Sequence, residues 1–372
     1  MTAADSRMDP AGAPSDASRA TRLSPIVRKL LRSQQFGLVT VIVFLLILLS
    51  VLAGSHIDNA TGRSVNNFLN SYTLIQTATD ASFFAIMAVG ATIVIISGGI
   101  DLSVGSVYAL AGVAMGLCLR VATPGGGVGA VVLGFVVAVA VGLAAGALNC
   151  AMVVALRVHP FIITLGTMWI LRGIAFVSSK GDSITLPDSM IHFAKSPLGL
   201  GAALYPVPML CMLIIAALGA TYLHRTVMGR HVFALGGNAE ASRFSGLRLG
   251  RIQIGVYVLA GLTAGLAAFL GSGFYGSVSC VDATGYELYV IASAVVGGAR
   301  LSGGRGSAIN AMLGAVLIVL IRQSIRTLHL DQNYEWIVIG CAIIIAVVVD
   351  QWSSRLTARR LSRAAERTRA AA

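Results

Sequence analysis

Few side chains in this sequence are placed to do chemistry. Asp101 stands between two apolar runs, immediately before Leu102-Ser103-Val104. Its carboxylate can accept hydrogen bonds from the free N–H groups of Ser103 or Val104 and close the start of the next helix. The alternative is a place on a polar path, because ionisable groups inside a membrane are costly and often functional. Proton coupling would need a second acid at comparable depth, and only margin residues such as Asp282 and Glu287 are on offer. Arg172 lies inside the apolar run 161–177. It either snorkels its guanidinium to the headgroups or faces a hydroxyl-rich solute. Asn149 and Asn310 are amides in or near apolar runs, suited to hydrogen bonding between helices.

Other chemistries lack their residues. The lysines are Lys29, Lys180 and Lys195, and none follows the Gly-x-x-x-x-Gly spacing that cradles a nucleotide. No His-Glu-x-x-His or Gly-x-Ser-x-Gly motif occurs, so the chain reads as neither ATPase nor hydrolase, with no catalytic residue, metal or cofactor expected. Cys118, Cys150, Cys211, Cys280 and Cys341 show no paired spacing and are assigned to packing.

A basic gap separates the apolar runs between Leu223 and Ile254, holding His224, Arg225, Arg230, His231, Arg243, Arg248 and Arg251 with Glu240 as its one acid. Gly236-Gly237-Asn238 breaks the preceding segment, Asn238 can cap, and Ala239 to Ser245 favours a helix of about two turns that Gly246 stops. Such a helix is marginal alone, since a short helix cannot repay nucleation in water. It is either a loop at the lipid headgroups or a surface that docks a protein.

The elements that position these residues follow from composition. With 56% hydrophobic and 11% charged residues the chain is too apolar for a soluble domain, where about a quarter of residues are charged. The net charge of +12 sits at both termini and in the gap, which is membrane-orientation chemistry rather than a nucleic-acid surface. Continuous apolar runs favour helices over a barrel, whose strands alternate. The expected fold is all-α, a polytopic transmembrane bundle of about ten spans: 37–53, 82–97, 102–119, 128–155, 161–177, 207–223, 254–275, a short one near 288–297, 308–328 and 336–350. Three segments are expected: a disordered cytoplasmic tail (1–36), a transmembrane domain (37–352) and a basic cytoplasmic tail (353–372). Arginines crowd both tails, so both ends are expected inside, and the gap at 224–253 falls on the same side.

The two halves share a pattern. Gly98-Gly99-Ile100-Asp101-Leu102-Ser103 and Gly297-Gly298-Ala299-Arg300-Leu301-Ser302 both read Gly-Gly-x-x-Leu-Ser between apolar runs. This is either an internal repeat of a helix-break-helix unit or chance similarity among glycine-rich membrane sequences. Glycine-interrupted segments at matching positions point to a transport pathway, because irregular backbone survives at membrane depth only where protein or water satisfies it.

Four motifs in order carry a resemblance. Ser97 to Ser106, Val158-His159-Pro160-Phe161 to Met168 with Arg172-Gly173, Gly229-Arg230 through Asn238 to Leu247, and Val295-Val296-Gly297-Gly298 with Gly303-Gly304 and Gly306-Ser307 resemble the permease subunits of ribose-type sugar ABC importers. The resemblance covers about 37–352. It implies an inner-membrane subunit that pairs with a second permease copy, docks a cytosolic ABC ATPase and receives a monosaccharide or polyol from an exported sugar-binding protein. By resemblance the docking residues are Asn238, Ala239, Glu240, Arg243, Ser245 and Gly246. Gly98, Gly99, Asp101, Ser103, Phe161 and Arg172 fall in signature segments with a structural or translocation role. The rivals are a gradient-driven secondary transporter and a non-transporting membrane scaffold or enzyme.

Overall fold

The computed structural model describes residues 34–57, 62–198, 205–341, 344–345 and 348. The tail expected at 353–372 and nearly all of 1–36 lie outside them. Among the described residues eight helices are long and apolar enough to cross a membrane: α1 (Gln34–Leu52), α2 (Ser71–Ile96), α3 (Val104–Ala122), α4 (Val128–Leu156), α5 (Pro160–Ser179), α7 (Pro206–Arg225), α10 (Leu249–Tyr275) and α12 (Ala308–Thr327). Shorter helices are α6 (Asp188–Ala194), α8 (Val227–Gly237), α9 (Ala239–Phe244) and α11 (Tyr286–Val296). The tenth expected span, 336–350, is helical where it is described. Two small antiparallel ladders pair β1 (Ser55–Ile57) with β2 (Ser64–Asn66), and β3 (Ile184–Thr185) with β4 (Ser277–Val278). Hydrocarbon offers the backbone no hydrogen bonds, so the spanning segments close theirs internally as helices.

The bundle is built around α2, which is buried along its length from Ala81 to Ser97. Against it pack α7, α10, α11 and α12; α4 lies on α10, α5 on α3, and α1 on the outer face of α12. Small residues set the tightest contact. A Cβ on Gly142 would strike the Gly261 carbonyl, one on Gly261 the Gly142 carbonyl, and one on Gly146 the Tyr257 carbonyl. The Gly-x-x-x-Gly spacings at 142/146 and 261/265 are thus a helix seam, where van der Waals contact replaces the hydrophobic drive that lipid abolishes.

Several boundaries differ from those the hydropathy implies. The second span starts at Ser71 rather than 82 because its polar residues are answered by protein. Tyr275 Oη donates to Asp80 Oδ1 at 2.7 Å, and Gln76 Nε2 to the same oxygen at 3.0 Å. α10 starts at Leu249 rather than 254 and carries Arg251 outward. The stretch 178–206 holds α6 and β3, and the basic gap holds two helices rather than one. α8 was invisible as a helix because Gly229, Gly236 and Gly237 break its pattern. Of the cysteines, Cys150 and Cys280 are buried, Cys118 and Cys211 partly so, and Cys341 is exposed, so packing does not explain Cys341.

Candidate functional site

The expected docking helix forms as α9. Asn238 caps it, its Oδ1 accepting from Ala241 N at 2.9 Å, and Gly246 leaves it in the left-handed region at φ +81°. Glu240 stands in its first turn and Arg243 in its last, each complementing the end of the helix dipole it is near. From Gly237 to Gly246 every residue is exposed except Ser242. Asn238, Ala239, Glu240, Arg243, Ser245 and Gly246 are therefore presented together, and beside them Phe244 is 84% exposed. Sequence reasoning missed Phe244; the signal was a lone aromatic among small and polar residues.

Behind α9, the end of α8 is wedged into the bundle. A Cβ on Gly236 would collide with the Ile96 carbonyl and lie 2.7 Å from the Gly304 amide nitrogen; one on Gly303 would lie 2.7 Å from Gly236 O and 3.1 Å from Gly98 Cα. Gly304 N donates to Ile96 O at 2.8 Å. Three glycine pairs, 98–99, 236–237 and 303–304, thus meet at the base of α9. The segments from both halves that interrupt the helices touch one another there, and each touches the chain that carries α9.

The first interruption, 97–103, is held by side chains. Ser103 N and Ser103 Oγ both donate to Asp101 Oδ1, at 2.8 and 2.7 Å, and Asn149 Nδ2 of α4 donates to Ser103 Oγ at 2.7 Å. Thr164 Oγ1 of α5 donates to the Ile100 carbonyl at 3.2 Å. Asp101 therefore ties down the turn before α3 through Ser103, one of the two donors expected for it. Gly99 is forced by Tyr257 of α10, whose Oη would lie 2.7 Å from a Cβ there. Asn149 stands seven residues from the end of α4 and Tyr257 eight from the start of α10, which places this turn about 10–12 Å inside the helix ends.

Arg172 corrects its expectation. It does not snorkel: Nη1 donates to the carbonyls of Cys280 and Asp282 at 2.8 and 2.6 Å, and Nη2 to that of Ala283 at 3.4 Å. The guanidinium fan supplies donors to a loop that the bilayer cannot satisfy. Phe161 is 42% exposed near the start of α5; its carbonyl accepts at 3.4 Å from the Thr164 hydroxyl that also reaches Ile100, and its N–H donates to His159 Nδ1 at 3.3 Å.

Both interruptions open with the same helix-end cap, one residue out of register with the motif; the same cap closes α9 at Gly246 and α12 at His329, so it does not by itself mark a repeat. Gly98 N donates to Ile95 O and Gly99 N to Val94 O; Gly298 N donates to Val295 O and Ala299 N to Ala294 O. The left-handed residue is Gly98 in one (φ +84°) and Gly298 in the other (φ +86°). The motif aligns Gly98 with Gly297, whereas the fold aligns it with Gly298.

Comparison with known proteins agrees with this architecture. Residues 73–347 match the family model described as branched-chain amino acid transport system, permease component. The chain is 36% identical to the ribose import permease of Escherichia coli K12 over 76% of its length and 87% of the relative's. It is 31% identical to the fructose import permease of Rhizobium meliloti over 78% and 81%, and 33% identical to the D-allose transport system permease of Escherichia coli K12 over 77% and 86%. With eight membrane-length helices and a match over most of its length, this chain belongs to the family of transport-system permease components that includes the ribose import permeases.

Proposed function

We propose that the chain is the membrane-spanning subunit of an ATP-driven importer that moves a monosaccharide or related polyol into the cytoplasm across the inner membrane. A cytosolic ABC ATPase docks on α9, an exported binding protein delivers the solute, and a second permease copy completes the pathway. Both termini and α9 lie on the cytoplasmic side, in keeping with the arginines at 224–253 and in the tails. The family description names amino acids; the sugar reading rests on the ribose, fructose and allose permeases, which match over three quarters of this chain.

The observation that carries the reading is α9 itself. A six-residue helix, exposed on nearly every residue and carrying a bare phenylalanine, is held at the junction of both helix interruptions. Its exposed face suits a groove on an ATPase, with Phe244 as the anchor and Glu240 and Arg243 fixing orientation. Nucleotide-driven movement of the ATPases would then reach Gly236 and, through it, both interruptions. The drive is the differential affinity of the ATPase pair for the two states of the permease.

Removing a buried interface anchor costs on the order of 2 kcal/mol or more, roughly 30-fold in affinity. Phe244→Asp should therefore leave the chain in the membrane but strip the ATPase from it on purification. The charge exchange Glu240→Arg with Arg243→Glu should retain insertion and uncouple hydrolysis from uptake. Normal ATPase recovery with normal solute-stimulated hydrolysis in both variants would sink the docking assignment. Uptake of ribose, fructose and allose by the assembled complex in vesicles tests the solute class, and uptake abolished by a protonophore at constant ATP would favour a gradient-driven carrier.

A further inference from the structure

Beyond β4 the chain turns back into the bundle. Val278 lies beside Gly112 and Gly116 of α3, where a Cβ would come within 2.6 and 2.9 Å of its side chain. Five residues later Ala283 lies beside Gly105, with its carbonyl 2.5 Å from a Cβ there. From Gly112 to Gly105 is about 10 Å along a helix axis, so the segment descends that far toward the docking end. Arg172, which holds it, stands twelve residues into α5, about 18 Å from that helix's start and 10 Å from its end. In a hydrocarbon core of about 30 Å this is near the middle. α11, with only 11 residues, then covers about 16 Å toward the docking end as a half-span.

At that depth the outer face of the segment is uncovered, with exposed Val281 and Leu288 flanking its polar groups. Thr284 is exposed, and Asp282 and Glu287 are half-buried. Ser279 N donates to Asp282 Oδ2 at 2.8 Å, and Thr284 Oγ1 donates its proton to Val281 O at 2.6 Å, so the Thr284 oxygen faces outward as an acceptor. Glu287 Oε2, in the space Gly105 leaves, has no hydrogen-bond partner among the described residues. Arg172 donates to the carbonyls of this segment and lies within electrostatic reach of Asp282 and Glu287, offsetting part of their charge. Glu287 Oε2 is buried against α3, but the half-exposed Asp282 carboxylate would be costly against hydrocarbon at this depth and is not against water.

We propose that Asp282 and Thr284 line the water-filled passage at mid-depth and accept hydrogen bonds from the hydroxyl groups of a neutral sugar as it crosses. Such acceptors suit a solute that presents many O–H donors, and the Asp282 carboxylate disfavours sugar phosphates and sugar acids. This rests on the sugar-permease reading and adds the residues that meet the solute.

The test uses the complete complex, with ATPase and binding protein, in vesicles and with the five native cysteines replaced. Thr284→Cys is treated with small hydrophilic thiol reagents, and Phe44→Cys, midway along the outlying helix α1 and 60% exposed, serves as the lipid-facing control. Thr284→Cys should react about a hundredfold faster than the control, and several-fold more slowly under saturating amounts of whichever of ribose, fructose and allose the complex carries. A cationic reagent should outpace an anionic one by about tenfold, and Asp282→Asn should shrink that preference. Reaction no faster than at Phe44→Cys would overturn the proposal, because lipid or protein then covers the face. Fast reaction without protection by a sugar that the complex transports would overturn the solute contact. Failure of the wild-type complex to carry any of the three sugars counts instead against the proposed function.

Discussion

The two helix interruptions begin with one backbone motif and are then held by opposite means. Segment 97–103 is short and anchored by side chains: Asp101 gathers Ser103, Ser103 receives Asn149, and Thr164 reaches Ile100. Segment 297–307 is longer, and its contacts at the junction are backbone against backbone, Gly303 and Gly304 lying against Gly98, Gly236 and Ile96. Side-chain hydrogen bonds of fixed direction define one position. Glycine surfaces without side chains permit sliding over short distances at little cost in packing. On the proposed function, the first interruption would be a fixed seat, the second the surface that moves against it, and Gly236 the piece of the α8–α9 arm between them.

The sharpest way to break this division is to fill the junction. Gly236→Ala would drive a methyl group into the Ile96 carbonyl and the Gly304 amide, whereas Gly237→Ala, next in sequence, meets nothing within 4 Å. Overpacking of this kind costs about 1–3 kcal/mol, enough to shift a two-state balance roughly 5- to 150-fold. Uptake by Gly236→Ala should fall by at least about tenfold with the ATPase still bound, while Gly237→Ala transports normally. Equal behaviour of the two would remove the junction from the mechanism. Gly303→Ala, with φ +86° and Gly98 Cα at 3.1 Å, should resemble Gly236→Ala.

A second pair of variants tests the seat. Asp101→Ala leaves the buried Ser103 N–H without its acceptor, a loss of about 1–3 kcal/mol that should lower the unfolding temperature of the purified permease by a few degrees. Asp101→Asn keeps an acceptor oxygen in place and should restore most of that stability and of the uptake. An Asn variant that is stable yet inactive would mean that the carboxylate's charge does more than fix a turn.

How much of this could be read in the sequence depended on whether local chemistry settled the outcome. Asn238, Glu240 and Gly246 specify α9 within a few residues, and hydropathy alone marks most spans. Arg172 was misjudged because its partners, the carbonyls of 280–283, lie more than a hundred residues away and leave no side-chain signature. The start of α2 was placed late because Asp80 reads as a loop residue until Tyr275 and Gln76 are seen to meet it. The Gly-Gly-x-x-Leu-Ser motif is shared by the two halves, but it does not predict on which glycine the cap falls. Left-handed φ at Gly98 and Gly298 is a property of helix ends, and adjacent glycines leave the choice between them open.

The smallest effect separates anchoring from packing within the seat. Asn149 reaches Ser103 from α4 across the bundle, and polar bonds between helices in a membrane average about 0.6 kcal/mol. Asn149→Leu should therefore lower stability only slightly, within about a degree or two of the wild-type unfolding temperature. Its effect on a seat that must not drift should be easier to see in coupling than in stability. If Asn149 fixes the first interruption, the variant's ratio of sugar moved to ATP hydrolysed should fall while its stability barely changes. If the turn is held by Asp101 and Thr164 alone, both quantities should stay at the wild-type value, and the cross-bundle bond would be packing.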